Sequence, residues 1–331
     1  MDRSPTVLLV THPAMEAHRA PGHPERPERL AAAAAGVERG AREAGARLER
    51  REATAADDAT VERVHPPSHV ADLERSCADG GGWLDPDTYL AMGSMRAARL
   101  AAGGTVEAAL AIARGDAAVG FAAVRPPGHH AGRERASGFC LLNNVAVAAA
   151  ALRSSGLERI AIVDWDVHHG DGTQAIFIAD PLLCYASTHQ SPLFPGTGGV
   201  EEVGIGAARG TKHNEPLPPG SGDEAFLAAW RERLLPEVER FAPEAILVSA
   251  GYDAAQADPL AELEVTAAGY RALGEELGAL VARLGLPGVA LTLEGGYDLP
   301  SLAEGVAASV VGVLAGMGRG EERRVYSTEG R

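Results

Sequence analysis

Short apolar runs that alternate with longer Ala-rich stretches constrain the fold of this 331-residue chain more than any other feature. Six runs rich in Val, Ile, Leu and Ala have the length of buried β-strands, and they cover residues 7–10, 119–124, 160–163, 182–186, 245–248 and 289–293. The stretches predicted to be helices cover residues 28–48, 88–114, 144–154, 223–241, 266–284 and 299–316. Because strands that alternate with helices need crossover connections, the sequence predicts a single-domain α/β fold with a mostly parallel central sheet and helices on both faces. We place this domain at residues 1–317, followed by a flexible tail at residues 318–331.

Composition and charge exclude several classes of protein. Hydrophobic residues make up 46% of the chain, which is typical of a soluble α/β enzyme and not of a disordered chain. The formal net charge of −15 argues against direct binding of nucleic acid, because clustered Lys and Arg neutralise phosphate groups. The cysteines Cys77, Cys140 and Cys184 lack the spacing of a metal site and indicate a reducing compartment. We see neither a leader sequence nor an apolar run long enough to cross a bilayer, so we expect a cytoplasmic protein that does not contact a membrane.

The segment after the third apolar run concentrates side chains that bind metals. Residues 164–172 read Asp-Trp-Asp-Val-His-His-Gly-Asp-Gly. In open parallel sheets ligands bind at the carboxyl ends of the strands, so we expect chemistry here. An extended backbone would place Asp164, Asp166 and His168 on one face and His169 on the other. Asp166 and His168 are then a natural pair of metal ligands, whereas a surface turn is the simpler alternative.

Four further runs end in polar residues, most of them beside glycine. They lead into Arg-Pro-Pro-Gly-His-His at 125–130, Ser-Thr-His at 187–189, Ser-Ala-Gly-Tyr-Asp at 249–253 and Glu-Gly-Gly-Tyr-Asp at 294–298. Glycine lets the backbone turn sharply and approach a ligand closely. Five such strand ends at one edge of a sheet predict an active site.

A third metal ligand is expected from another strand end. Asp253 is the most plausible residue to join Asp166 and His168. Three protein ligands leave a fourth position open to water or substrate, as hydrolytic zinc requires.

The remaining polar residues suit acid–base catalysis. The adjacent imidazoles of His129 and His130 could serve as a general base and a general acid. Asp164 and Asp171 are the available carboxylates to fix their tautomers. Tyr297, on a Gly-Gly turn, could donate a hydrogen bond to a developing oxyanion. Taken singly, a histidine pair is more often structural, and a Gly-Gly-Tyr turn is usually only a turn.

Together these motifs resemble the histone deacetylase family in its broad sense, which includes bacterial deacetylase-like amidohydrolases, acetoin-utilisation-type proteins and acetylpolyamine amidohydrolases. The resemblance runs from His12 to about Gly316. Its landmarks, in order, are residues 23–30, 85–88, 125–130, 136–140, 164–172, 194–198, 249–253 and 293–297. Arg-Pro-Pro-Gly-His-His and Leu-Glu-Gly-Gly-Tyr look like the class II branch of the family.

The resemblance implies a reaction and a role for each site residue. Water attacks an amide, which gives an acid and a free amine. The implied zinc ligands are Asp166, His168 and Asp253. The implied catalytic residues are His130 as general base with Asp171 behind it, His129 as its electrostatic or acid partner with Asp164 behind it, and Tyr297 to polarise the acyl carbonyl.

The resemblance also implies a substrate channel and a second ion. Phe139 and Phe194 look like its aromatic walls, Gly138 like a backbone contact to substrate and Leu260 like an apolar rim residue. A structural potassium ion is implied near Asp164, Asp166, His168, Ser187 and Thr188, mostly through carbonyl oxygens. Arg29 resembles the arginine of the family's internal product cavity.

Three other classes of protein are alternatives to a lysine deacetylase. Arginase-like ureohydrolases bind two manganese ions with further aspartates, and here those positions read His169-Gly170 and Ala254-Ala255. A non-catalytic member that binds acyl-lysine would have lost a metal ligand or the tyrosine. An acetylpolyamine amidohydrolase would favour a carboxylate at the rim, where Leu260 stands, although Glu262 and Glu264 are close in sequence. We therefore expect an acylated lysine in a protein, peptide or small molecule as substrate, with an acetylated polyamine as the alternative.

Overall fold

Eight parallel strands form the central sheet of the computed structural model, which describes residues 4–328 and their side chains as far as residue 319. The strands are β1 Thr6–Thr11, β2 Arg47–Glu52, β5 Val119–Ala122, β6 Ile160–Asp164, β7 Leu183–Gln190, β8 Lys212–Leu217, β9 Ala245–Ala250 and β10 Val289–Leu293. Their order across the sheet is β2-β1-β5-β10-β9-β6-β7-β8. A separate antiparallel hairpin pairs β3 Gly82–Trp83 with β4 Tyr89–Leu90.

Helices cover both faces of this sheet. They are α1 Glu28–Glu43, α2 Asp58–Val61, α3 Pro67–Ala78, α4 Ser94–Ala113, α5 Asn144–Ser154, α6 Asp171–Ile176, α7 Asp223–Ala228, α8 Leu235–Phe241, α9 Ala267–Leu284 and α10 Leu299–Thr328. Alternate residues of β1 belong to two different apolar clusters, Val7 and Leu9 to one and Leu8 and Val10 to the other. This period of two is what a sheet buried on both faces requires. The predicted α/β fold is confirmed.

Two strands of the central sheet escaped prediction because their sequences are polar. The helix predicted at 28–48 ends at Glu43, and after Gly45, whose φ is +64°, the chain enters β2. The sequence of β2 is Arg-Leu-Glu-Arg-Arg-Glu, and it lies at one edge of the sheet, where one side of a strand faces solvent. The other edge is β8, Lys-His-Asn-Glu-Pro-Leu. Neither edge strand carries the apolar run by which the buried strands were found.

Three predicted boundaries also change. The helix predicted at 88–114 begins only at Ser94, because Tyr89–Leu90 pairs as β4. The stretch 223–241 is interrupted by a π-helical segment, Ala229–Leu234, between α7 and α8. Helix α10 continues past residue 317 to Thr328. Residues 329–331 lie outside the described part of the chain, and the flexibility of the segment 318–331 stays a prediction.

Helix α10 has a composition that could be mistaken for a membrane span. Its segment Leu299–Arg319 is long and apolar enough to cross a bilayer, contrary to the expectation that no such run exists, and 61% of its most apolar window is buried. It packs against α9, where a Cβ on Gly278 would overlap the backbone of Val313. Buried core helices of soluble proteins have the same composition, so this helix is weak evidence for a membrane.

Candidate active site and metal centre

The polar strand ends meet where the parallel strands end, at the carboxyl-terminal side of the sheet. Strands β5, β10, β9, β6 and β7 are neighbours and run parallel, so their carboxyl ends lie side by side. The structure therefore brings together residues from segments as far apart in sequence as His129 and Tyr297. Ser187, Thr188 and His189 differ from the expectation in one respect, because they lie within β7 and do not follow it.

Three ligand-type groups converge at the centre of this side of the sheet. The Nδ1 atom of His168 lies 3.1 Å from Asp166 Oδ1 and 3.2 Å from Asp253 Oδ2. Asp253 Oδ2 is buried and makes no hydrogen bond to any residue that the structure describes. All three ligand atoms lie within 4.8 Å of one another. Two carboxylates and one imidazole with an unsatisfied oxygen fit a zinc-like divalent ion.

The local backbone departs from the extended form considered for this segment. Strand β6 ends at Asp164, and the N–H of His168 turns back to donate to Asp166 Oδ1 at 2.9 Å. The N–H of Gly295 donates to the other oxygen of Asp166 at 2.7 Å. A Cβ on Gly295 would overlap Asp253 Oδ2, so only glycine permits this approach. The Gly-Gly turn after β10 thus shapes the metal centre directly.

Two histidine–aspartate pairs flank the three ligands. His129 Nδ1 lies 3.1 Å from Asp164 Oδ2, and His130 Nδ1 lies 2.8 Å from Asp171 Oδ1. The two imidazole rings are 4.0 Å apart between centroids. Burial and the neighbouring His129 lower the pKa of His130 to about 3. Burial alone would lower the pKa of His129, but Asp166 and Asp164 outweigh it and hold that pKa well above the usual value.

Glu294 supports the loop that carries both histidines. Its Oε2 accepts the backbone N–H groups of Gly128 at 2.6 Å and His129 at 3.1 Å, and its Oε1 accepts the hydroxyl of Ser249 at 3.0 Å. Burial raises the pKa of Glu294 to about 7. Glu294 lies in the motif at residues 293–297, but the sequence predicted no role for this residue. A carboxylate at a buried strand end, directly before two glycines, was the available sign of one.

Tyr297 is held from both sides. Its backbone N–H donates to Asp258 Oδ2 at 2.7 Å, and the other oxygen of Asp258 accepts the N–H of Leu260 at 3.0 Å. On the opposite side the guanidinium carbon of Arg29 lies 4.8 Å from the centre of the Tyr297 ring. Arg29 also donates to the carbonyl oxygens of Glu294 and Gly296 in the turn before Tyr297. Asp258 was not singled out from the sequence.

A buried carboxylate, Glu25, lies behind Arg29. It accepts from Arg29 at 3.1 Å and from Arg125 Nε at 2.7 Å, and it is fully buried. Burial would raise the pKa of Glu25, but Arg125 outweighs it and brings that pKa down to about 2. Arg125 opens the loop that ends in His130. Glu25 therefore ties together the supports of the tyrosine and of the histidines.

A cavity of about 220 Å³ reaches His168, one of the three ligands. Its lining residues are Asp87, Pro127, His129, His130, Gly138, Phe139, His168, Leu193, Phe194, Leu260, Gly295 and Tyr297. All four residues predicted for the substrate channel are in this lining. A Cβ on Gly138, whose φ is +55°, would lie 2.5 Å from the His130 ring, so the wall can approach the ring only through glycine.

The residues predicted around potassium lie on two neighbouring strands. Ser187 of β7 pairs in register with Asp164 of β6. The Ser187 hydroxyl lies 3.0 Å from His189 Nδ1, and the Thr188 hydroxyl accepts from Trp230 Nε1 at 3.1 Å. Both hydroxyls are thus already hydrogen-bonded within the protein.

Comparisons with known proteins agree with this geometry. The histone deacetylase domain matches residues 23–313 of the chain. A probable deacetylase from Archaeoglobus fulgidus is 40% identical over 298 residues, which cover 90% of this chain and 83% of that protein. A histone deacetylase-like amidohydrolase from Pseudomonas aeruginosa is 39% identical over 255 residues, 76% of this chain and 67% of that protein.

The fold also matches a solved structure closely. The crystal structure of the HDA15 HD domain superimposes with a TM-score of 0.86 and 36% sequence identity, over 95% of this chain and 90% of that domain. Sequence and structure thus agree over nearly the whole length. The chain belongs to the histone deacetylase family and is a deacetylase, an enzyme that hydrolyses amide bonds.

Proposed function

We propose that this deacetylase depends on one divalent ion, zinc in the first place, and removes an acetyl or similar acyl group from a lysine-like amine. The observation that carries the proposal is the convergence of Asp166, His168 and Asp253, with an unsatisfied buried oxygen, beside a cavity that His168 lines. An ion held there supplies Lewis-acid chemistry, because it polarises an acyl carbonyl and makes water nucleophilic at neutral pH. All three ligands and Tyr297 are present, which argues against a non-catalytic member.

The protein's own residues then have distinct tasks. His130 is neutral, and its Nδ1 is occupied by Asp171, so Nε2 is the atom that takes the proton of the attacking water. His129, whose Nδ1 is paired with Asp164, is placed to provide positive charge or a proton for the departing amine. Burial holds the pKa of Tyr297 well above its usual value, so its hydroxyl stays a donor for the negative charge on the acyl oxygen.

We further propose a structural potassium ion beside the metal centre. The resemblance implies that carbonyl oxygens along β6 and β7 would bind it for the most part, and the pairing of Ser187 with Asp164 on neighbouring strands supports this. Ser187 and Thr188 with Asp164, Asp166 and His168 form the proposed set. A cytoplasmic location stays a prediction.

The rim of the cavity favours acyl-lysine over acetylated polyamines. Phe139 and Phe194 line a slim passage, which suits an alkyl chain. Leu260 lines the rim, whereas Glu262 and Glu264 are not among the lining residues. A second ammonium group would therefore find no counter-charge at Leu260. The carboxylate in the lining is that of Asp87, which accepts the Thr88 hydroxyl at 3.1 Å.

The test compares two classes of substrate in the wild type and in variants that carry a new carboxylate. The metal-loaded enzyme is assayed with an acetyl-lysine peptide and with acetylated spermidine and putrescine, and the ratio of kcat/KM values is measured. We expect a ratio above one that falls with Leu260→Glu, because a carboxylate in a partly dry channel pairs with a cation better than water does. Leu182→Glu is the matched control. Leu182 is exposed and lies just before the amino end of β7, whereas the cavity lies at the carboxyl ends of the strands. A wild-type ratio below one that Leu260→Glu leaves unchanged would assign the chain to polyamines.

A further inference from the structure

Exposed apolar side chains cluster on the segment 82–92. Among the residues that the structure describes, the large exposed apolar side chains are Trp83, Leu84, Met92, Leu182, Phe194, Val200 and Ile205. Three of these lie on the segment that contains the β3–β4 hairpin, and Trp83 is 60% exposed. Exposed apolar surface beside an active site is typical of a region that contacts a ligand or a partner.

The hairpin is attached to the wall of the channel. The hydroxyl of Thr88 accepts the backbone N–H of Phe139 at 3.2 Å. His23 Nε2 lies 3.0 Å from the carbonyl oxygen of Asp87, and the N–H of Leu84 donates to the Thr88 carbonyl at 2.8 Å. The exposed side chains are therefore fixed relative to the cavity.

A row of rings leads from Trp83 to the candidate catalytic tyrosine. Ring centroids are 5.9 Å apart for Trp83 and His23, 4.6 Å for His23 and Phe139, and 5.8 Å for Phe139 and Tyr297. Trp83 thus lies two rings beyond the channel wall, with His23 between Trp83 and Phe139. Because an extended peptide advances by about 3.3–3.6 Å per residue, a residue two or three positions from the one in the channel reaches Trp83.

The segment that carries Trp83 is acidic. Residues 79–91 contain Asp79, Asp85 and Asp87 and no Lys or Arg. None of these three forms a salt bridge within the described part of the chain. Asp85 accepts the N–H groups of Asp87 and Thr88, and Asp87 accepts the Thr88 hydroxyl. An exposed indole beside such carboxylates attracts a cationic side chain by cation–π attraction and ion pairing.

We propose that Trp83 and the hairpin bind a basic residue of a peptide substrate, two or three positions from the acylated lysine. This inference rests on the proposed function and names its substrate class as a polypeptide. Leu84 and Met92 widen the apolar surface beyond the indole, and a peptide has side chains to contact it. A polyamine has none, so the hairpin favours the peptide.

The experiment uses acetyl-lysine peptides that each carry one substitution. One series has Arg, Gln or Glu two or three residues before the acetyl-lysine, and the other has them two or three residues after it; kcat/KM is measured at low salt. In at least one series we expect the Arg peptide to exceed the Glu peptide by about five-fold in the wild type. Trp83→Ala should reduce that preference to about two-fold or less, mainly through KM, while Trp83→Phe should keep most of it. Leu182→Ala, at the amino end of β7, should not alter the preference for the Arg peptide.

The outcomes separate this inference from the proposed function. Equal kcat/KM for Arg and Glu peptides in both series, with brisk hydrolysis, would overturn the inference alone. A loss of acetylated spermidine hydrolysis in Trp83→Ala that matches the loss for the Arg peptide would assign the hairpin to a polyamine and also overturn it. Failure of the metal-loaded wild type to hydrolyse any acetyl-lysine peptide would instead contradict the proposed function.

Discussion

Asp258 accepts the backbone N–H of Tyr297 at 2.7 Å and, through its other carboxylate oxygen, the N–H of Leu260 at 3.0 Å. One buried side chain therefore positions both the candidate oxyanion donor and the rim of the cavity. Burial and the nearby Asp253 raise the pKa of Asp258 to about 7. The carboxylate is held by backbone donors and has no salt bridge to a described residue.

Asp258→Asn should therefore reduce turnover without removing the metal. An amide has one acceptor oxygen, so at one of the two carboxylate positions an NH₂ group would face a backbone N–H and displace it. We expect kcat to fall by about ten-fold, with an unchanged metal content, because small displacements of a catalytic group are costly. Glu262→Gln, a neutralisation in the same loop but outside the cavity lining, is the control. Wild-type kcat in Asp258→Asn would show that Tyr297 does not depend on this contact.

Removal of the Tyr297 hydroxyl tests its role more directly. Tyr297→Phe keeps the ring that faces Arg29 and Phe139, so we expect the fold and the metal to remain. Turnover should fall by about 10² or more, as for loss of one preorganised donor. Steady-state kinetics on an acetyl-lysine peptide measures this. Turnover near that of the wild type would make Tyr297 a turn residue only.

The two histidines should be distinguishable from the metal ligands. His130→Ala should damage amide hydrolysis severely, and His129→Ala should do comparable or slightly smaller harm. Both variants should retain the metal, because neither imidazole is one of the three converging ligands. Loss of the metal from either variant would mean that the metal ligands are assigned wrongly.

The buried network around Glu25 should govern stability in acid. The pKa of Glu25 is lowered to about 2, and burial lowers the pKa of His18 to about 3. Below their ordinary pKa values the unfolded chain binds protons that the folded chain does not, so stability falls as the pH falls from about 6.5 towards 2. Glu25→Gln should lower the free energy of unfolding at pH 7 by about 3–5 kcal/mol, because Arg29 and Arg125 lose their counter-charge.

Urea unfolding at pH 7 and at pH 3.5 measures both effects. The stability lost between these two pH values should be smaller in Glu25→Gln than in the wild type, because the variant lacks one titrating group. Glu43→Gln is a control with an exposed carboxylate. The same loss in Glu25→Gln and the wild type would show that Glu25 does not link folding to protons.

The sequence predicted the elements whose signals are local. Helix α5 was predicted with its observed bounds, because Asn143 caps it by accepting from the Ala146 N–H and an apolar run follows. The strand-end motifs likewise predicted which residues would meet, since parallel strands present their carboxyl ends at one edge. The edge strands β2 and β8 were missed because they are polar.

The partners of the supporting carboxylates could not be found in this way. Glu25 meets Arg125 across 100 residues, and Glu294 meets Gly128 across 166. Asp258 accepts backbone N–H groups. Almost every residue has such a group, so the sequence does not show which ones a carboxylate will contact. Such contacts depend on the tertiary fold.

Metal content tests the central claim most directly. Purified protein, analysed by elemental mass spectrometry, should carry about one tightly bound zinc or similar divalent ion per chain. Asp253→Ala should lose it, and Tyr297→Phe should keep it. Treatment with a chelator should abolish hydrolysis of an acetyl-lysine peptide, and added zinc should restore it. Two catalytic ions per chain, or full activity in a thoroughly chelated sample, would contradict the account.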